Sequence, residues 1–216
     1  MNAVGENIAS RRTIRKFDHT KDVPLDEMKE MTRLASLCPS RMNDQPLEYV
    51  LIKDPKLCEQ VFANILWGTR NKVNTAFADP VFAPNSYIAM LVNRTIRDVG
   101  YEYDAGAAAQ NIMLYAHSLG IESVFLHCIN RVAISQLLSV PETHKVDSLI
   151  GLGYPAHVST VVPVTDGTVY SLDAGQNILL PKRDPDSITH HNRYGTKGIN
   201  IFAVKIRHTG NIGCIG

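Results

Sequence analysis

The sequence predicts a sandwich of helices and strands, of the α/β or α+β class. Two observations predict it. Short apolar runs of strand length alternate along the chain with segments whose apolar residues recur at helical spacing. The helical pattern is clearest over residues 105–119, where alanines follow one face. Because small residues allow close packing, we expect this helix at the centre of the fold.

The remaining elements follow in chain order. The spacing predicts helices over residues 2–10, 25–37, 55–65 and 133–138, and strands over residues 49–52, 87–92, 121–126 and 148–152. Asp54-Pro55 is a typical helix start and Gly120 a typical helix end. Residues 66–85 show no clear period. Residues 168–180 are interpreted as an excursion with a turn at Asp173-Ala174-Gly175, and Asp184-Pro185 begins a last helix.

Length and charge exclude several classes of protein. The chain has 216 residues, which suits one domain, and its net charge of +1 argues against a general nucleic-acid binder. No run approaches the roughly 20 apolar residues of a membrane span. The N-terminus lacks the continuous apolar segment of a signal peptide. We therefore expect a soluble, cytoplasmic protein that binds neither nucleic acid nor membranes.

The cysteines and histidines predict neither disulfides nor a metal site. No two of the four cysteines have C-x-x-C spacing, and no His/Cys spacing is that of a zinc site. His190-His191 has no third ligand at a suitable distance in the sequence. Free thiols of an intracellular protein fit this pattern best.

A cationic segment precedes the second helix. Arg11, Arg12, Arg15 and Lys16 surround Thr13. Arginine forks and a threonine hydroxyl suit a phosphate group. A solvated helix end is the other interpretation, and the charge run alone favours it.

A polar loop lies between two prolines, Pro39 and Pro46. Its short side chains, among them Ser40, Arg41 and Asn43, could present hydroxyl and amide groups to a ligand. The loop could equally be an ordinary turn from helix to strand.

Two further segments carry reactive or charged side chains. Phe125-Leu126-His127-Cys128 ends a predicted strand, where α/β proteins often bind ligands. Neighbouring strand residues point to opposite faces, so a His127–Cys128 dyad is disfavoured. Lys182-Arg183 alone reads as a surface turn. The sequence has no G-x-G-x-x-G after a strand, no Walker sequence, no G-x-S-x-G and no H-E-x-x-H, which argues against P-loop enzymes and covalent hydrolases.

Taken in order, five segments resemble the nitroreductase family of flavoproteins. Residues 11–17 resemble its R-R-S-[IV]-R-x-[FY] signature and residues 39–46 its P-S-x-x-N-x-Q-P-W loop. Residues 104–120 resemble its central helix, residues 151–155 its G-x-G-Y-P strand end, and residues 181–195 a frequent family ending. The resemblance covers roughly residues 5–195. Leu47 stands where the family usually has tryptophan, and in 66–85 only Asn71 and Lys72 are candidates for the family's Asn-x-x-Lys contact.

The resemblance implies an α+β fold, a three-layer α/β/α sandwich. It also implies a homodimer with swapped arms that binds FMN at the subunit interface. Residues 1–195 would form the FMN-binding domain, and residues 196–216 a C-terminal arm or tail. The residues that match flavin-binding positions are Arg11, Arg12, Thr13, Arg15, Pro39, Ser40, Arg41, Asn43, Phe125, Leu126, His127, Cys128, Lys182 and Arg183.

In such a family the flavin supplies the redox chemistry. The resemblance implies ping-pong hydride transfer from NADH or NADPH to a small electron-poor acceptor, such as a nitroaromatic or a quinone. No acid or base residue is required, and His127 is a hypothetical proton donor. The alternatives are reductive dehalogenation or flavin destruction on the same scaffold, a non-catalytic flavin-binding protein, and an interaction module without cofactor.

Overall fold

The computed structural model describes residues 1–68 and 72–196, and shows helices packed on both faces of a sheet. The helices are α1 (Ala3–Ser10), α2 (Leu25–Ala35), α3 (Pro55–Phe62), α4 (Glu102–Ser118), α5 (Arg131–Leu137) and α6 (Pro185–Ile188). The strands are β1 (Phe17–Asp18), β2 (Leu47–Ile52), β3 (Ser86–Asn93), β4 (Glu122–Leu126), β5 (His144–Pro155), β6 (Ser159–Pro163), β7 (Ser171–Leu172) and β8 (Ile178–Lys182). Three short 3-10 helices cover Arg41–Asn43, Lys72–Phe77 and Pro80–Phe82.

The main sheet is built around β5. This strand pairs antiparallel with β3, with β4 and, at its end, with β1, while β2 pairs with the other edge of β3. The register against β3 shifts at Asp147, because Met90 pairs with Ser148 but Leu91 with Val146. This bulge lets Val146 and Leu149 join the same core cluster.

The two faces of the sheet carry two apolar cores. On β3, Ile88 and Met90 pack in a cluster with α2 and α4, whereas Tyr87 and Ala89 pack in a cluster with α3 and α5. Both sets are fully buried because successive strand residues point to opposite faces. Helices on both faces make three layers, and the predicted α/β/α sandwich is confirmed.

A second, three-stranded sheet follows the end of β5. Strand β8 pairs parallel with β6 and antiparallel with β7. The predicted turn is confirmed, since the Asp173 carboxylate accepts hydrogen bonds from the backbone N–H groups of Gly175 and Asn177, at 2.9 Å each. Strand β6 was not predicted, because its exposed, short run lacks an apolar period.

The limits of the other predicted elements agree with the structure within a few residues, except for β5. That strand begins four residues before the expected Ser148, where Lys145 and Asp147 interrupt the apolar run. Asp54 caps α3 as predicted, accepting from the backbone N–H of Leu57 at 2.8 Å. Asn71 lies outside the described residues, and so does the expected tail 196–216 apart from Thr196.

No helix within residues 1–68 and 72–196 has the length and apolar character needed to cross a membrane. In the same part of the chain, no group of three or more histidine, cysteine and carboxylate side chains is arranged to hold a metal ion.

Gly153 has no Cβ atom, and this leaves room for two neighbouring side chains. A Cβ atom added there would lie 2.6 Å from Asn85 Oδ1 and 2.7 Å from Phe17 Cδ1. Because both neighbours are held in place, we expect Gly153→Ala to lower the free energy of unfolding by about 2 kcal/mol. Urea unfolding checks this, with Gly106→Ala as control. A Cβ at Gly106 meets nothing within 4 Å, so that helical change should not destabilise.

Candidate functional site

The cationic segment lies along the edge of β4. Thr13 forms a parallel bridge with Ser123, and the backbone N–H of Ile14 donates to the Ser123 carbonyl at 3.0 Å. Ile14 is buried in the core, while Thr13 and Arg15 on either side of it are half-buried. The backbone of this segment is thus fixed by the sheet.

Arg11 and Arg12 have different surroundings. Arg12 turns back on α1, and its guanidinium donates to the carbonyls of Arg11 and Ala9, the latter at 2.6 Å. Arg11 Nη1 is buried and has no hydrogen-bond partner among the described residues. Burial lowers the pKa of Arg11, and the nearby Glu122 carboxylate opposes this effect. Of the two arginines, Arg11 is therefore the one with a guanidinium nitrogen that has no partner among the described residues.

Arg15 contacts two aromatic rings. Its guanidinium carbon is 4.8 Å from the centre of the Tyr170 ring and 5.8 Å from the centre of the Phe77 ring. Burial lowers the pKa of Arg15. Within residues 1–68 and 72–196, the guanidinium has no carboxylate partner and donates no hydrogen bond.

A buried histidine supports the backbone of Arg15. The Arg15 N–H donates to His157 Nε2 at 2.9 Å, so the ring proton is assigned to Nδ1. Burial, followed by the charges of Lys16 and Arg15, lowers the pKa of His157 to about 4. The ring is neutral at pH 7, and its buried Nδ1 has no partner in the described part of the chain.

Lys16 adds a second buried cation to this cluster. The residue is 9% exposed, and its Nζ lies 4.5 Å from the centre of the Phe82 ring. No carboxylate of the described residues pairs with Lys16. Arg15, Lys16 and the Nδ1–H of His157 thus supply donors that have no acceptor among the described residues, which suits an anionic or electron-rich group.

The polar loop is folded around one serine. Ser40 Oγ donates to Asp104 Oδ2 at 2.6 Å and accepts from the backbone N–H of Gln45 at 2.9 Å. Met42, Asn43 and Gln45 have φ angles of 53°, 60° and 52°. Left-handed backbone at three residues other than glycine is costly, and such strain is often found at functional sites.

An ion pair beneath the loop holds it to α4. Asp104 is 3% exposed and accepts hydrogen bonds from the Arg41 backbone N–H, at 3.3 Å, and from Arg97 Nη2. Arg97 Nη1 also donates to the Arg41 carbonyl at 3.2 Å and lies 3.5 Å from Asp44. The strained loop is therefore tied to the central helix at several points.

The end of β4 exposes one aromatic pair. The rings of Phe125 and His127 meet edge to face with centres 4.2 Å apart. Leu126, between them, is buried. Cys128 is exposed, and its carbonyl accepts from the Leu66 N–H at 2.8 Å. The strand end thus offers ring edges and backbone groups at the surface.

The C-terminal cations lie on the second sheet. Lys182 ends β8 opposite Pro163 of β6, and both Lys182 and Arg183 are exposed. In residues 1–68 and 72–196, no hydrogen bond, ion pair or ring contact joins them to Arg11, Arg12 or Arg15. Their predicted convergence with the N-terminal arginines stays a prediction.

Neither of two cavities in the described residues encloses the predicted residues together. A cavity of about 850 Å³ lies against α3 and is lined by none of them. A smaller cavity of about 110 Å³ under the polar loop is lined by Ser40 and Asp104.

Sequence reasoning missed Asp104, His157 and Tyr170. Asp104 could have been noticed as an acid on the buried face of an otherwise small-residue helix. The contacts of His157 and Tyr170 with Arg15 span more than 140 residues and leave no local pattern in the sequence.

Comparisons with known proteins identify relatives of this chain. A sequence model of the Nitroreductase family matches residues 8–154. A putative NADH dehydrogenase/NAD(P)H nitroreductase from Archaeoglobus fulgidus is 30% identical over 157 residues, which cover 68% of this chain and 83% of that protein. An iodotyrosine deiodinase from Nematostella vectensis is 36% identical over 186 residues, covering 74% of this chain and 70% of that protein. A putative nitroreductase from Desulfovibrio desulfuricans, solved in complex with FMN, is 26% identical with a TM-score of 0.63, covering 76% of this chain and 94% of that one.

Proposed function

Since the chain belongs to the nitroreductase family, we propose that it binds FMN and uses NADH or NADPH to reduce small electron-poor acceptors, such as quinones and nitroaromatics. The observation that carries this proposal is the segment of residues 11–15. There, within the family match, Arg11 Nη1 and the Arg15 guanidinium have no hydrogen-bond acceptor among the described residues.

The donor set fits FMN. The phosphate of FMN carries about two negative charges at neutral pH and accepts several hydrogen bonds. Arg11 and Thr13 would hold it, with Lys182 and Arg183 as further cations. Arg12 would contribute charge only, since its donors are used by backbone carbonyls. Arg15 would face the flavin edge that carries N1 and O2, and the 125–128 segment would line the ring near N5.

Residues 1–195 are proposed as the FMN-binding domain, and a second copy of the chain as its complement. Helix α1 supports the proposed dimer, because none of its residues is buried and its apolar Val4 and Ile8 are 67% and 51% exposed. Such a face is typical of a subunit interface. In the proposed homodimer, Pro39, Ser40, Arg41 and Asn43 reach the FMN of the partner subunit, and residues 196–216 serve as the arm.

When bound, FMN supplies hydride transfer at N5, first from the nicotinamide and then to the acceptor, in a ping-pong sequence. The chain itself binds and orients. Arg15 provides a fixed positive charge where negative charge develops at N1 and O2 on reduction. The neutral His157 fixes the backbone of Arg15 without adding charge. His127 is a candidate proton donor toward the acceptor, because its ring is exposed at the strand end.

A second candidate reaction is reductive dehalogenation on the same scaffold. The relative named iodotyrosine deiodinase, 36% identical to this chain, favours it. Both reactions use reduced FMN, so the acceptor distinguishes them.

The test is an acceptor panel. Purified protein loaded with FMN is assayed with NADH or NADPH against a quinone, a nitroaromatic and a halogenated tyrosine. Turnover of the first two supports the proposal, and release of halide alone supports the second candidate. A protein that binds FMN but turns over none of the acceptors would be a flavin-binding protein without this activity.

A further inference from the structure

We propose that Tyr170 is a positioning residue that, with Phe77, holds the guanidinium of Arg15 through ring contacts and aims its N–H edge at the N1–O2 edge of the flavin. This inference rests on the proposed FMN site and adds to it a residue from beyond the family match, which ends at residue 154.

The contacts of Tyr170 fix its ring. The Arg15 guanidinium carbon lies 4.8 Å from the ring centre, at cation–π distance. The phenol hydroxyl donates to Asn74 Oδ1, so the ring is held at its outer end as well. Tyr170 directly precedes β7, and the second sheet therefore places this ring over Arg15.

The ring contacts leave the N–H donors of Arg15 unused. All five N–H donors of a guanidinium lie in its plane, and contact with an aromatic ring needs none of them. Tyr170 and Phe77 make contacts of this kind. The Arg15 side chain donates to no residue of the described chain, so its N–H groups can donate to a ligand in the guanidinium plane.

The main chain of Arg15 is fixed independently of its side chain. His157 Nε2 accepts from the Arg15 N–H at 2.9 Å, and the neighbouring Ile14 N–H is bound to Ser123. With the backbone held, the rings decide where the guanidinium points. A long side chain that is held before the ligand arrives loses less entropy on binding.

A guanidinium held in place would stabilise the reduced flavin more than the oxidised flavin. A cation fixed at the N1–O2 edge stabilises the anionic reduced form more than the neutral oxidised form. Without the Tyr170 ring, Arg15 would spread over several rotamers and this preference would weaken. The midpoint potential of bound FMN should then become more negative.

The test compares Tyr170→Leu with Tyr170→Phe in the FMN-loaded protein. The leucine variant should have a more negative midpoint potential, measured by anaerobic equilibration with a reference dye. Its FMN dissociation constant should rise by roughly threefold to tenfold. The phenylalanine variant keeps the ring and loses only the hydroxyl contact with Asn74, so its potential should lie close to the wild-type value, with the same small negative shift as Asn74→Ala. Asn74→Ala, which frees only the phenol hydroxyl, should give a smaller shift in the same direction.

A double-mutant cycle separates this role from general packing. In an Arg15→Ala background, Tyr170→Leu should produce no further shift in potential. An equal shift with and without Arg15 would overturn the inference, as would a wild-type potential in Tyr170→Leu. If Tyr170→Leu does not fold, Asn74→Ala and its own cycle with Arg15→Ala decide by the same criterion. Wild-type protein that takes up no FMN would instead contradict the proposed function.

Discussion

Asp104→Asn should lower the free energy of unfolding by about 3 kcal/mol, because it leaves the buried Arg97 with only the partly exposed Asp44, at 3.5 Å, as a counter-charge. The Arg97 side chain is 9% exposed and the Asp104 side chain is 3% exposed, so water cannot replace the lost partner. Urea unfolding measures the change. Asp26→Asn is the matched control, since Asp26 pairs with Lys29 at the surface and should change stability by less than about 0.5 kcal/mol.

The same variant should release the polar loop. Residues 42, 43 and 45 have left-handed backbone conformations. Each costs on the order of 1 kcal/mol and persists only where surrounding contacts hold it. Asp104 holds the loop by accepting hydrogen bonds from Ser40 Oγ and from the Arg41 backbone N–H. Trypsin should therefore cut after the exposed Arg41 faster in Asp104→Asn than in the wild type.

The coupling between the two charges offers a sharper test. Arg97→Met combined with Asp104→Asn should destabilise by at least about 1 kcal/mol less than the sum of the single changes. Strictly additive effects, or equal effects of Asp104→Asn and Asp26→Asn, would contradict a buried ion pair at this position.

Arg11→Ala should raise the dissociation constant of FMN by roughly 10- to 100-fold, which corresponds to one lost charge-assisted hydrogen bond or two. Arg11 Nη1 has no hydrogen-bond partner among the described residues, so we expect it to donate to the phosphate. Fluorescence quenching of the added flavin measures the dissociation constant. The loss of affinity caused by Arg11→Ala should be larger for FMN than for riboflavin, which lacks the phosphate.

Arg12→Ala is the matched control for Arg11→Ala. Both remove one positive charge from the same turn, but the Arg12 donors bind the carbonyls of Arg11 and Ala9. We expect a change in FMN affinity several-fold smaller than for Arg11→Ala. A larger loss in Arg12→Ala than in Arg11→Ala would reverse the roles assigned to the two side chains.

Much of the sandwich could be predicted from the sequence because its layers leave local patterns. The buried run of β3 and the alanine face of α4 each reflect contacts made along a whole element. Strand β6 left no such pattern, since its residues are half-buried or exposed and its stability comes from pairing with β8. Pairing partners are set by tertiary structure rather than by local composition.

The candidate site was predictable only where its chemistry is concentrated in sequence. The arginines of residues 11–15 form a visible cluster, but the sequence does not tell that Arg12 binds its own helix while Arg11 Nη1 has no partner in the part of the chain that the structure describes. The residues that hold the site, Asp104 and Tyr170, act through contacts far along the chain. Such contacts follow from the fold and not from spacing.

The most direct test of the account is an anaerobic titration of the FMN-loaded protein with NADH and, separately, with NADPH. We predict that at least one nicotinamide bleaches the visible flavin absorbance in stoichiometric amount. Addition of a quinone or nitroaromatic should then restore the absorbance. A colourless protein that takes up no FMN, or bound FMN that neither nicotinamide reduces, would contradict the central claim that this chain is an FMN-dependent NAD(P)H oxidoreductase.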